Sequence, residues 1–273
     1  MTEATAPYWK TSISDITAED VFVRGFALKD LIGKLPFPAV VHLVIRGTMP
    51  TVGQAHVIDS ILCSILDYGL QKSGTVAARY VVSVNPQMTA GLASAVLAAG
   101  EYSLSPEVAG VFIQDNFAAW KKSGKELGIF AKDLVDQLRE DRKRIPGFGH
   151  PVFRNVDPRA QKLKSIAMDS EVWGDVGKFY EAVHAAFRAT ANQPGLVIND
   201  IGMIACILSE MGYSPQEMAG LAILSTIPGV IAHVSEELAS NVRIRIVSDA
   251  AVEYDRSRHD LASTMQKAGW NSR

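Results

Sequence analysis

Ile145-Pro-Gly-Phe-Gly-His-Pro-Val-Phe-Arg-Asn-Val-Asp-Pro-Arg159 is the most heavily punctuated stretch of the chain. Gly147 and Gly149 let backbone approach a ligand closely, because no Cβ stands in the way. Pro146, Pro151 and Pro158 fix the flanking path. A loop stiffened in this way holds His150 at a defined place, and imidazole is the usual proton donor or acceptor near neutral pH. Further on, Arg159 offers a planar fork suited to a carboxylate. Asp157-Pro-Arg159 also reads as a helix start, with Asp157 as N-cap and Pro158 at the first helical position. From these features alone two readings stay open: a loop that presents His150 and Arg159 to a ligand, or a tight turn ahead of a capped helix.

Outward from this loop, apolar residues recur at spacings of three and four, the helical period. Val57, Ile58, Ile61, Leu62 and Ile65 show it, as do Val176, Phe179, Val183 and Phe187, and Ile201, Ile204, Ile207 and Leu208. Ala90–Ala99 suits close helix–helix contact, and Lys132–Lys143 reads as a charged, solvated helical stretch. Val242–Val247 (Val-Arg-Ile-Arg-Ile-Val) is the one candidate strand. Breaks fall at Pro36–Pro38, Pro50–Gly53, Asn85–Pro86, Gly100–Pro106, Gln193–Gly195 and Gly212–Pro215. The expected fold class is all-α. With no repeat or Gly/Ser linker, a second domain has to be nested in the first.

The 273 residues carry 27 Lys and Arg against 29 Asp and Glu, a net charge of −2. That balance argues against a nucleic-acid or anionic-membrane partner, so acidic small molecules must be held by a few placed arginines. Cys63 and Cys206 each lie in an apolar run and read as buried, reduced thiols. Met1–Trp9 has no signal-peptide pattern. The most apolar stretch, Ala219–Val234, contains Pro228 and Gly229 and falls short of the ~20 residues of a bilayer span, so a buried helix and a cytoplasmic protein are expected. His42, His56, His184 and His259 show no ligand-like spacing, and no metal is expected.

Pro146-Gly-Phe-Gly-His150 followed by Asp157-Pro-Arg159 resembles the signature of the citrate synthase family. Val23–Leu31 resembles that family's "RGY…DL" segment, and His42–Pro50 its "LLxGxLP". Pro228-Gly-Val-Ile-Ala-His233-Val-Ser-Glu-Glu237 is similar to its "PGxxAHxxEE" helix. The short length resembles stand-alone citryl-CoA lyase subunits more than full citrate synthases. The resemblance implies a citrate synthase fold: a large helical domain from residues 1–103 and 201–273, and a smaller lobe, 104–200, closing over substrate. It also implies a homodimer, with the Ala-rich helices at 88–99 and 217–234 as interface elements or ordinary core. Coenzyme A or an acyl-CoA enters as substrate, with a 2-oxoacid or hydroxy-acid CoA ester as partner, and no cofactor is permanently bound.

Carried over residue by residue, His150 matches the histidine that hydrogen-bonds the oxoacid carbonyl and, in the cleavage direction, takes the proton of the tertiary hydroxyl. Arg159 matches a substrate-carboxylate arginine. Arg245, and less directly Arg243, falls where the family places an arginine that reaches the partner subunit's site. Pro146, Gly147, Phe148 and Gly149 form the implied CoA-side loop. Four positions depart from the pattern. Ser103 replaces the enolate-side histidine, and Ile201 stands at the catalytic acid with Asp200 beside it. Tyr68 replaces a histidine near the oxoacid, and Thr226 replaces an arginine. One helical residue turns a side chain by about 100°, so Asp200 is expected to cap or charge its helix and to point away from the cleft. Asp200 and Ser103 are the candidates to stand in for the lost acid and histidine. Two functions follow: a carbon–carbon lyase or synthase acting on a 3-hydroxy-3-carboxyacyl-CoA, or a non-catalytic CoA-binding or regulatory homologue.

Overall fold

The computed structural model describes residues 8–190, 195–255 and 257–270. Its helices, among the described residues, are α1 (Leu28–Leu31), α2 (Phe37–Arg46), α3 (Val52–Ser64), α4 (Ser73–Val84), α5 (Met88–Leu97) and α6 (Pro106–Ser123). They continue with α7 (Leu127–Glu140), α8 (Pro158–Asp169), α9 (Asp175–Thr190), α10 (Asp200–Glu210), α11 (Pro215–Ala239) and α12 (Leu261–Lys267). A small antiparallel meander precedes them: β1 (Ser14–Ile16), β2 (Val21–Val23) and β3 (Phe26–Ala27). The fold is mostly helical, as the apolar spacing requires.

The helix ends that frame the loop are set by their caps. Asp157 Oδ1 accepts from the Arg159 N–H at 3.0 Å, which starts α8 with Pro158 in its first turn. Asn199 Oδ1 accepts from the Gly202 N–H at 2.9 Å and so begins α10 at Asp200. Between α7 and α8 the quoted loop lies against the chain leading into α10. Gly149 N–H donates to Val197 O at 2.8 Å and Asn199 N–H to Gly147 O at 2.9 Å. Gly147 sits at φ +80°, and a Cβ there would lie 2.3 Å from Tyr180 Oη and 2.5 Å from Gly202 Cα. Only glycine permits that approach, so the Gly147–Gly202 contact locks the loop onto the first turn of α10.

Packing divides into one main core and two satellites. Ile58, Ile61, Ile113, Leu163, Ile204, Leu208 and Leu221 are fully or nearly fully buried where α3, α6, α8, α10 and α11 meet. Phe179 and Val183 of α9 pack on Ala131 and Val135 of α7. Ala78 and Val82 of α4, Ala95 of α5, and Val230 and Val234 of α11 form the third cluster, in which Gly91 admits α11 closely. The helices at 88–99 and 217–234 thus build internal core, although Leu97 remains 85% exposed. At 25 residues α11 extends past the apolar run at both ends, and by length and composition alone it could cross a membrane. It is packed instead as a core helix, opened by a Ser214–Glu217 capping box and closed by Glu236 and Glu237.

Three sequence expectations are corrected. Val242–Val247 is not a strand: Ile244 has φ 58°, and the backbone N–H groups of Ile244 and Arg245 bond to Ser83 at the end of α4. Its alternation has no partner strand to satisfy, whereas the true strands are too short to show a period. Cys63 is exposed, facing outward from α3, while Cys206 is fully buried. Of the charged stretch 132–143, the residues beyond Glu140 lie outside the helix, and Arg142 takes φ 55°.

Glu237, 2% exposed, joins α11 to α4 and to the segment after α11. Arg79 Nε donates to its Oε2 at 2.7 Å, and Arg245 donates from Nε at 2.5 Å and Nη2 at 3.0 Å. The Arg245 hydrogen bond is the chief cause that holds the Glu237 carboxyl below its usual range. A lowered folded-state pKa stabilises above the unfolded value and is lost as pH falls through the folded value. Glu237→Gln should therefore lower stability near neutral pH by roughly 2 kcal/mol, less than a fully buried pair because both arginines keep some solvent. Urea unfolding should show that deficit shrinking on acidification below about pH 4, near the free glutamate value.

Candidate active site

His150 is oriented by its own loop. The backbone N–H groups of Val152 and Phe153 both donate to Nδ1, each at 3.1 Å. That fixes Nδ1 as the bare nitrogen and places the proton of the neutral ring on Nε2. Nε2 in turn lies 3.2 Å from Tyr68 Oη and 3.2 Å from Arg159 Nη2. Because a guanidinium cannot accept a proton, the first contact is the hydrogen bond and the second is a cation beside the ring. Arg154 further ties the loop by donating to the carbonyls of His150 and Phe153.

Arg159 is the hub of the site. Its Nε and Nη2 donate to the two oxygens of Asp157 at 3.2 and 2.9 Å, and its Nη1 meets Asp200 Oδ2 at 2.7 Å. The expected substrate clamp is thus already occupied by two protein carboxylates. Its guanidinium also faces the Tyr68 ring, 5.4 Å from the centroid. Asp200 corrects the expectation that its carboxylate points away. It is 7% exposed, reaches Arg159 and lines the same cleft as His150. Burial raises its pKa above the ordinary aspartate value; Arg159 works against this, and the nearby Asp157 carboxylate adds to it. A buried carboxyl with raised pKa in a cleft has the properties of a general acid or base.

Tyr68, Lys72, Ser103, His150, Arg159 and Asp200 converge on a cleft of about 470 Å³, within the range of small-ligand sites. Ile201 also borders it. Ser103 occupies the far wall, held by a two-way backbone bridge to Gly100 at 2.9 Å and near Ser73 Oγ at 3.4 Å. Pro146, Gly147 and Phe148 do not line this cleft. Pro146 O accepts from Tyr180 Oη, Gly147 packs on Gly202, and Phe148 packs tilted against Tyr180 and edge-on against His184 and Phe187. Gly149 borders a separate depression of about 380 Å³ with His150 and Arg154. Arg245 is not in the cleft, because Glu237 holds it. His233 is structural: it bridges Asp67 at 3.1 Å and Arg79 at 3.3 Å. Among the described residues, no group of three His, Cys, Asp or Glu side chains is arranged to hold a metal.

Lys72 is a charged cleft residue that sequence reading missed. Its signal was present: between Asp67 and Arg79 it is the sole charged residue.

The helical fold, with a histidine loop, an arginine and a buried aspartate meeting in one cleft, defines a recognisable class, and comparison with known proteins agrees. The family model described as "Citrate synthase, C-terminal domain" matches residues 53–246. The structure of citryl-CoA lyase from Hydrogenobacter thermophilus superposes with a TM-score of 0.87 at 32% identity, covering 95% of this chain and 100% of that one. ATP citrate lyase from Methanothrix soehngenii, solved with citrate and coenzyme A, shares the fold with a TM-score of 0.77 at 22% identity, over 93% of this chain and 42% of that one. Citrate synthase from Haloferax volcanii is 28% identical over 204 residues, 74% of this chain and 52% of that protein. The chain spans about half or less of the curated relatives it matches. It belongs to the citrate synthase family.

The raised Asp200 pKa carries a stability signature opposite to that of Glu237. An aspartate whose folded pKa is raised is disfavoured when ionised, so it costs stability as pH rises from the unfolded value, about 3.9, through the folded value. Relative to wild type, Asp200→Asn should therefore gain stability over that rise, read as the difference in Tm between the two proteins at each pH. A difference independent of pH would mean that Asp200 is not raised.

Proposed function

We propose that the protein is an acyl-CoA-dependent carbon–carbon lyase or synthase of the citryl-CoA lyase type. It cleaves a 3-hydroxy-3-carboxyacyl-CoA to an acyl-CoA and a 2-oxoacid, or joins the two. The convergence of His150 Nε2, the Arg159 fork and the Asp200 carboxylate in one cleft carries this reading. The likeness to citryl-CoA lyase along the whole chain supports it, and the coenzyme A and citrate bound to the Methanothrix enzyme are in keeping with an acyl-CoA substrate.

In the bond-forming direction Asp200 takes a proton from the carbon next to the thioester, and the electron pair moves onto the thioester oxygen as an enolate. Ser103 is the hydroxyl on that wall available to donate to the enolate oxygen. The enolate carbon attacks the oxoacid carbonyl, whose oxygen takes the proton of His150 Nε2. The Arg159 cation, 3.2 Å away, stabilises the nitrogen left behind. Cleavage runs the same steps backwards, with protonated Asp200 returning its proton to carbon. A substrate carboxylate that docks on Arg159 competes with Asp200 for the guanidinium, which removes the cation opposing Asp200's raised pKa. Substrate binding thus prepares Asp200 to hold a proton. We further read residues 104–200 as the lobe that closes to exclude water, and the working unit as a homodimer. The exposed Leu97, Ile244 and Ile246 supply apolar surface for that contact.

Mass-spectrometric assay of citryl-, citramalyl- and malyl-CoA should detect cleavage of at least one. His150→Ala should reduce it by about 10²–10⁴, the usual loss of a proton-transfer residue. Turnover unchanged in that variant would contradict the mechanism. A CoA ester retained without cleavage would favour the non-catalytic binding role.

A further inference from the structure

Lys72 is unlike the other charged groups of the cleft. Arg159 is engaged by Asp157 and Asp200. Among the described residues, no carboxylate lies within ion-pair distance of the Lys72 ammonium. Asp67, five positions before it, is engaged by His233 at 3.1 Å. Lys72 is half-buried, and burial pushes its ammonium below the usual lysine value against the pull of Asp67. A desolvated cation without a protein counter-charge is costly unless an anion arrives to pair with it.

The position of Lys72 adds a second, independent observation. Besides the main cleft, it borders a narrow recess formed by α4, α5 and α11, and Thr226 lines that same recess. By its resemblance to the family, Thr226 on α11 stands where an arginine is common. Here it is a buried hydroxyl that donates to Ile223 O at 2.9 Å. Lys72, at the N-cap of α4, and Thr226 of α11 thus border one recess, and Lys72 alone of the two also lines the main cleft.

Building on the proposed lyase or synthase reaction, we propose that Lys72 is the second carboxylate-holding residue of this site. Arg159 takes the carboxylate beside the reacting carbonyl, and Lys72 pairs with the distal carboxylate of a dicarboxylic oxoacid. The ammonium is a compact point charge with rotatable donors, so it accepts a carboxylate without the fixed geometry of a fork. Lys72 would therefore separate oxoacids with two carboxylates from those with one.

Calorimetric binding of oxaloacetate and of pyruvate distinguishes the outcomes without requiring turnover. Lys72→Met should weaken oxaloacetate binding by about ten- to a hundredfold, the usual range for one charge-assisted bond, and leave pyruvate within about twofold. Lys72→Gln serves as a second neutral variant if the methionine protein does not fold. Lys72→Arg, which keeps the charge, should retain most of the oxaloacetate binding that the neutral variants lose. If wild type binds neither oxoacid, the proposed function itself fails. If wild type binds oxaloacetate and the neutral variants bind it equally well, or lose both acids alike, the role of Lys72 is overturned while the reaction stands.

Discussion

The Arg159 guanidinium, bonded to Asp157 on one side and Asp200 on the other, is the interaction from which the rest of the site follows. Asp157 caps α8 and Asp200 opens α10, so one cation ties two helix starts together. Neither carboxylate could be buried this deeply without it, since an unpaired buried charge costs several kcal/mol. The loop between α7 and α8 is then pressed onto α10 at Gly147 and Gly202, where any side chain would separate them. His150 emerges from that loop with its Nδ1 already occupied by two backbone N–H groups, leaving Nε2 turned to the cleft. Loop, helices and imidazole are parts of one arrangement, and its open side is the cleft.

Charge stoichiometry separates this centre from the one at Glu237. There, two arginines serve a single buried carboxylate, and its pKa falls. Around Arg159, one arginine serves two carboxylates, burial outweighs the attraction, and the Asp200 pKa rises. The same residue types therefore give a carboxylate with a lowered pKa in one place and one with a raised pKa in the other. Lys72 tilts the cleft back toward positive charge, but from a wall that has no carboxylate partner. On the proposed reading, the two cations offer an anionic substrate a partner on each wall of the cleft.

The sequence made much of this legible because the deciding features are local. The Asp157-Pro-Arg159 helix start, the stiff loop and the three- and four-residue apolar spacing depend on few long-range contacts. Asp200 was misread because a register argument of one helical position assumes an ordinary helix interior, whereas Asp200 is the first residue of α10. There the chain has just turned, and Arg159 draws the carboxylate inward. At Gly147 the close backbone approach read from the sequence does occur, and it is toward Gly202. Lys72 was passed over because a lone charge between Asp67 and Arg79 does not say that the chain folds it into the cleft beside His150 and Arg159. The meander over residues 14–27 was invisible because two- and three-residue strands carry no period.

The central claim is that Asp200 exchanges a proton with the carbon next to a thioester in this cleft. Proton NMR of acetyl-CoA in D₂O, with the protein and oxaloacetate or a non-reacting analogue present, tests that step apart from bond cleavage. The account predicts protein-dependent loss of the methyl signal, as deuterium enters, that disappears in Asp200→Asn. Acetyl-CoA that binds yet keeps its methyl protons, or exchange that persists in Asp200→Asn, would contradict it.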